Sequence, residues 1–263
     1  MRNFLIIPIL FIFLVSCSNS EDFDIPKIST LEKLEEHSNQ FVKGIYSYDN
    51  GIHVAIGFGI ANSIMVEGEE GNIIIDTTDD VSQAKEVLSE FQKINQNPIK
   101  AIIYTHNHGD HVFGASEFYN AQEEKPLVIS HSTTAEKVEK ILGIINPIIT
   151  IRSGKMFGTN LDEDELINVG LGPYLSAGRS SPGYIAPTMT FEKELKLEIA
   201  GHKVELYHAP GETDDQLFVW FPELSALMPG DNFYTTFPNL YTIRGTSHRD
   251  VIGWVNSIDK MRS

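Results

Sequence analysis

Between residues 44 and 76 the chain falls into four short runs of alternating or clustered apolar positions, at 44–48, 53–58, 61–67 and 72–76. Turn formers such as Asp49-Asn50-Gly51 and Glu70-Gly71-Asn72 separate them, which predicts an antiparallel meander. Ahead of it, residues 29–40 carry Leu31 and Leu34 at helical spacing, with Ser29 or Thr30 available as a cap. After it, apolar residues at 81, 84, 88 and 91 predict an amphipathic helix over 81–95. The run at 99–104 predicts a buried strand, 127–130 another, and 133–142 a helix. Strands resume at 190–199 and 203–207, around a turn at Ala200-Gly201, and again at 217–221 and 226–228. A last helix over 250–261 places Val251, Trp254, Val255 and Ile258 on one face. The order predicts an α/β (α+β) domain: two layers of mostly antiparallel sheet with helices outside. Residues 143–187, rich in glycine and proline, interrupt the pattern and read as an irregular cover over a site.

The extreme N-terminus has a different character. Arg2 precedes an apolar run at 4–15 that is too short to span a membrane and suits a secretory signal. Leu14-Val15-Ser16-Cys17 resembles a bacterial lipobox, and Cys17 is the single cysteine of the 263 residues. This assigns 1–17 to a lipoprotein signal peptide with Cys17 lipidated, 18–28 to a polar tether, and 29–263 to one folded domain. The implied location is the bacterial cell envelope, with membrane attachment through Cys17. With that cysteine modified, no disulfide forms and no thiolate remains for a metal. The net charge of −16 lacks any basic stripe, which excludes nucleic acid as a partner.

The densest chemistry lies in Thr105-His106-Asn107-His108-Gly109-Asp110-His111. Imidazole and carboxylate together suit zinc and similar borderline metals. If the backbone stays extended beyond the strand, His106 and His108 share a side and can hold one metal. A turn at Gly109 then brings Asp110 and His111 towards a second. Two further turns place an acid after a glycine at a strand end: Pro210-Gly211-Glu212-Thr213 and Pro229-Gly230-Asp231-Asn232. The remaining histidines form no constellation. His131, His208 and His248 read as structural or supporting residues, His37, His53 and His202 offer no pattern, and Trp220 and Trp254 read as core.

The 106–111 loop, the strand-ending Asp76, the Pro-Gly-x-Thr turn and the Gly-Asp turn, in this order, resemble the metallo-β-lactamase superfamily from about Tyr46 onward. The resemblance implies an αββα sandwich with metals at one edge of two sheets. Most members carry histidine in a Pro-Gly-His-Thr turn, where this chain has Glu212. That glutamate resembles the alkyl sulfatase branch, whose members cleave sulfate esters of alkyl chains. The string from Ala209 to Gln216, the segment Gly230–Tyr234 and the segment Phe237–Gly245 are similar to that branch as well. The resemblance implies two zinc ions, one held by His106, His108 and Glu212 and the other by Asp110 and His111. Asp231 would bridge them where several relatives use glutamate, and Arg244 would bind the sulfate.

The implied activity is zinc-dependent hydrolysis of a small amphiphilic sulfate ester, with Asp110 also serving the nucleophile as a catalytic group. Attack at sulfur and attack at carbon both stay open. The family pattern further supplies a histidine to the second metal from a Gly-His-Gly-like turn, and no residue after Asp231 fits except His248, which comes too early. The sequence is therefore expected to be a C-terminally truncated form whose second site lacks a ligand. The last strand and helix, a dimerisation domain and a lipid-carrier-like domain are expected to be missing. The alternatives are another hydrolase of this fold, such as a lactonase or β-lactamase, and a catalytically incomplete metal-binding lipoprotein.

Overall fold

A computed structural model describes residues 30–162, 165–174 and 182–263. The proposed signal peptide, tether and lipidation site at Cys17, and the candidate cap Ser29, lie outside them. Helix α1 (Thr30–His37) runs into a 3-10 turn (Ser38–Phe41). The meander follows as β1 (Gly44–Tyr48), β2 (Ile52–Ile56), β3 (Ser63–Gly68) and β4 (Gly71–Ile75), each antiparallel to the next. Helix α2 (Val81–Ile94) starts at Asp80, whose carboxylate accepts from the backbone N–H of Ser82 and Gln83. It carries the chain to β5 (Ile99–Ile103), which lies parallel to β4.

Two short helices, α3 (Gly109–Val112) and α4 (Ala115–Asn120), lead to β6 (Leu127–His131), again parallel. Helices α5 (Thr134–Leu142) and α6 (Asn146–Met156) precede β7 (Met189–Phe191), which closes a seven-stranded sheet in chain order. The second sheet is antiparallel: β8 (Glu194–Ile199), β9 (His202–His208), β10 (Leu217–Phe221) and β11 (Ala226–Met228). Helix α7 (Val251–Arg262) follows a long loop and is capped by Asp250.

Strand periodicity feeds two cores. Ile73, Ile75, Ile103 and Ile129 face the second sheet and pack with Val204, Leu206, Val219 and Phe221. The intervening Ile74, Ile102 and Val128 face the helices and pack with Val87, Phe91, Phe118 and Val138. Every residue of β4 is buried, as expected for a strand covered on both faces. Each fully buried isoleucine contributes about 2 kcal/mol of burial. The layers are those of the metallo-β-lactamase sandwich.

Two element expectations need correction. The run at 190–199 is two strands in different sheets, since Thr190 pairs with Ser130 while Glu198 pairs with Lys203. Local alternation cannot show that a continuous run changes partners at Glu192-Lys193. The irregular 143–187 stretch contains α6, with Pro147 in its first turn, where a missing N–H leaves no bond unmade. Among the described residues no helix is long and apolar enough to cross a membrane.

Candidate metal centre

The ends of β4 and β5 meet the turns after β9 and β11 at one edge of the two sheets. Asp76, directly after β4, has φ +57, a left-handed conformation that costs a non-glycine residue about 1 kcal/mol. Its carboxylate accepts from the Thr105 backbone N–H and hydroxyl, both at 2.8 Å, and lies 2.7 Å from His111 Nδ1. One buried acid therefore fixes both ends of the histidine loop.

Within that loop His106 Nε2 and His108 Nδ1 approach to 2.9 Å, so the two rings do share a side. α3 then starts immediately at Gly109. A β-carbon there would stand 2.4 Å from the Phe113 ring, so the glycine leaves room for that ring beside the turn, while its backbone is ordinary helix and needs no left-handed conformation. The helical turn carries Asp110 and His111 to the same place. With Nδ1 held by Asp76, the buried His111 Nε2 has no hydrogen-bond partner among the described residues. It lies 3.4 Å from both Asp110 Oδ2 and Asp231 Oδ1.

Asn232 joins the two later turns. Its side chain donates to the Ala209 carbonyl at 2.7 Å and accepts from the Glu212 N–H at 3.3 Å. Gly211 makes this approach possible, because a β-carbon would lie 2.1 Å from the Asn232 amide oxygen. Asp231 sits in a 3-10 turn (Gly230–Asn232) after β11. Two donor clusters result, His106–His108–Asp231 and Asp110–His111–Asp231, each with its ligand atoms within 4.8 Å. The shorter Asp231 side chain thus reaches both.

Glu212 stands beside the first cluster, with Oε1 3.6 Å from His108 Nδ1. It is also engaged from behind. Arg249 Nη2 donates to Oε1, and the Tyr234 hydroxyl donates to Oε2 at 3.2 Å. Sequence reasoning missed both partners. Arg249 lies 37 residues from Glu212, next to a helix cap, with no local signature. It also missed Asp215, fully buried, which accepts from Asn107, Thr134 and Thr213 and ties the histidine loop to α5 and the Glu212 turn. His131 and His208 stack on each other at 4.2 Å, and neither belongs to the two donor clusters.

The electrostatics favour a cation. Burial, reinforced by the neighbouring histidines, holds His106 well below the usual histidine range; burial and the Arg244 charge do the same for His108. Both rings are therefore neutral donors. Burial opposes protonation of His111, but Asp231, Asp76 and Asp110 together raise it. Burial likewise opposes ionisation of Asp110, yet His111 and His108 hold its carboxyl below the usual range. Burial and the Asp231 charge push Glu212 up to about 8, against the pull of Arg249 and Arg244. Crowded carboxylates, neutral imidazoles and the unpartnered Nε2 form a donor set that fits divalent metal.

The centre opens into a cavity of about 1070 Å³. Its polar end holds His108, Asp110, Glu212, Asp231 and Arg244; its walls include Phe113, Ile145, Ile149, Phe157 and Leu171. α6, Phe157 and residues 169–171 supply part of those walls, so the stretch read as a cover does border the site. Arg244 stacks over Phe157 at 5.7 Å and approaches the Met156 sulfur at 3.8 Å. Among the described residues it forms no ion pair within 4.0 Å, unlike an ordinary surface arginine in an acidic chain.

Residues 56–263 match the family described as the metallo-beta-lactamase superfamily. A linear primary-alkylsulfatase from Pseudomonas sp. (strain ATCC 19151) is 41% identical over 205 residues, which cover 76% of this chain and 38% of that protein. A stereoselective inverting sec-alkylsulfatase from Pseudomonas sp. superposes with a TM-score of 0.78 at 23% identity, over 86% of this chain and 37% of that one. The metallo-beta-lactamase IND-7 superposes with a TM-score of 0.54 at 19% identity, over 83% and 84% of the two chains. Those two structures speak to the fold alone. The chain spans less than two fifths of the length of the alkylsulfatases it matches.

Proposed function

The chain belongs to the metallo-β-lactamase superfamily, and on that premise we propose that it is a zinc-dependent hydrolase of alkyl sulfate esters. The observation that carries this reading is Arg244: a guanidinium without an ion-pair partner among the described residues, at the junction of a metal-type cluster and an apolar cavity. A planar fork of N–H donors suits the oxygens of a tetrahedral sulfate, and the apolar walls suit a hydrocarbon chain. The 41% identity to a linear primary-alkylsulfatase supports the same substrate class.

In this proposal His106, His108 and Glu212 would hold one zinc ion and Asp110 and His111 a second, with Asp231 within reach of both donor groups. When bound, such a pair supplies Lewis acidity and a nucleophile active near neutral pH. The protein's own groups do the rest. Asp76 fixes His111 so that Nε2 faces inward. Arg244 orients the ester and offsets negative charge that develops on the sulfate oxygens. Asp110, kept ionised, accepts a hydrogen bond from the attacking water and so orients it. The walls at Phe113, Ile145 and Phe157 keep bulk water from the ester.

Sulfate release from dodecyl sulfate, compared with nitrocefin hydrolysis, tests the substrate class, and zinc quantification on the same preparation tests the metal. Nitrocefin turnover without sulfate release would favour a β-lactamase-like activity; a chain without zinc would favour the catalytically incomplete alternative. We further propose that Cys17 carries a lipid that anchors the domain in the bacterial cell envelope. Labelled palmitate should enter the wild-type chain and not Cys17→Ala.

A further inference from the structure

Glu212 and Arg249 are both nearly excluded from solvent, at 7% and 4% exposure. The guanidinium is held independently of its acid. Nη1 donates to the Asn239 carbonyl, the Arg249 backbone N–H donates to Leu240 O at 3.2 Å, and the next residue caps α7. Nε is buried and has no hydrogen-bond partner among the described residues. Arg249 is thus a fixed cation, and its contact is with Oε1, the Glu212 oxygen that faces His108 Nδ1. An ion pair needed only for packing could have used the other oxygen. Here Tyr234 occupies that one.

We propose that Arg249 is a charge-balancing residue for the first metal site: it cancels the charge of the Glu212 carboxylate that faces His108, so that the cluster binds metal as if through a third neutral donor. A carboxylate oxygen has lone pairs for both an N–H and a metal, so one contact does not exclude the other. The two clusters together already contain the anions Asp110 and Asp231. An uncompensated third would tighten the hold on a cation and weaken its pull on the substrate's electrons.

The inference rests on the metal reading of the site and not on the substrate. Its test is zinc affinity, measured by competition with a chromophoric chelator on the full chain, with circular dichroism to confirm folding. Glu212→His supplies a neutral nitrogen donor but strands the Arg249 charge beside the metal. Zinc should bind about ten-fold more weakly, and adding Arg249→Gln should bring affinity back to within about three-fold of the parent. A double variant no tighter than Glu212→His overturns the proposal. If Glu212→His does not fold, Arg249 variants decide alone: Arg249→Lys should stay close to the parent and Arg249→Gln should bind zinc about ten-fold more tightly. Weaker binding by Arg249→Gln than by the parent overturns charge balance in favour of simple packing. A parent chain that takes up no zinc overturns both this inference and the metal reading, whereas a parent that binds zinc without releasing sulfate leaves the inference standing.

Discussion

The half of the centre contributed by residues 105–111 comes from one turn, held at both ends by Asp76, while the half contributed by Glu212, Asp231, Arg244 and Arg249 is drawn from three separate segments. In the first, ligand atoms converge because the chain between them is too short to let them part. In the second, convergence depends on side chains that reach across: Asn232 ties one turn to the other, and Arg249 returns from the start of α7 to Glu212. The difference teaches that a metal site can place its histidines by local geometry and its carboxylates by tertiary contacts.

The sharpest way to break this comparison is at Asp231, where the halves meet. Asp231→Ala should remove zinc from both clusters and reduce sulfate release by at least about 10³-fold. Retention of one full zinc equivalent by that variant would show that the halves bind independently. Arg244→Ala should lower kcat/KM by about 10²–10³-fold while zinc content stays at the parent level, because the proposed reading sets Arg244 against substrate and not metal. Asp76→Asn, in the local half, should weaken zinc at the second cluster by about 10–100-fold through a misoriented His111, and leave the first cluster intact.

Proton release separates the halves more finely. His106 and His108, held below their usual range, are already neutral at about pH 7 and have no proton to lose on zinc binding. His111 is raised and Glu212 is pushed up to about 8, so near neutral pH each should contribute to proton release when zinc binds. Calorimetry in two buffers of different ionisation enthalpy should show a smaller release in His111→Ala and in Glu212→Gln. Unchanged release in both would contradict the raised values. The smallest effect concerns the α7 cap: Asp250→Ala should cost about 1 kcal/mol in urea unfolding.

The meander, α2, β5, β6, the second sheet and α7 were legible because their apolar periodicity and turn residues are local properties. The first donor loop was legible for the same reason, since His106, His108, Asp110 and His111 lie within six residues. Glu212 and Asp231 were legible as acids after glycine turns, and the family resemblance linked them to the loop. Arg249, Tyr234 and Asp215 carry no such local mark. Each is one ordinary polar residue whose importance comes from a partner far along the chain.

Sequence alone thus determined most of the element types, the superfamily and the set of metal-type donors, because hydrophobic period and ligand density need only neighbouring residues. Tertiary structure alone decided that residues 190–199 divide between two sheets, that Asp231 reaches both clusters, and that Glu212 is shared between the centre and a buried arginine. Those outcomes depend on distances between segments separated by tens of residues. Such distances are set by how two packed sheets meet at one edge, which no local pattern encodes.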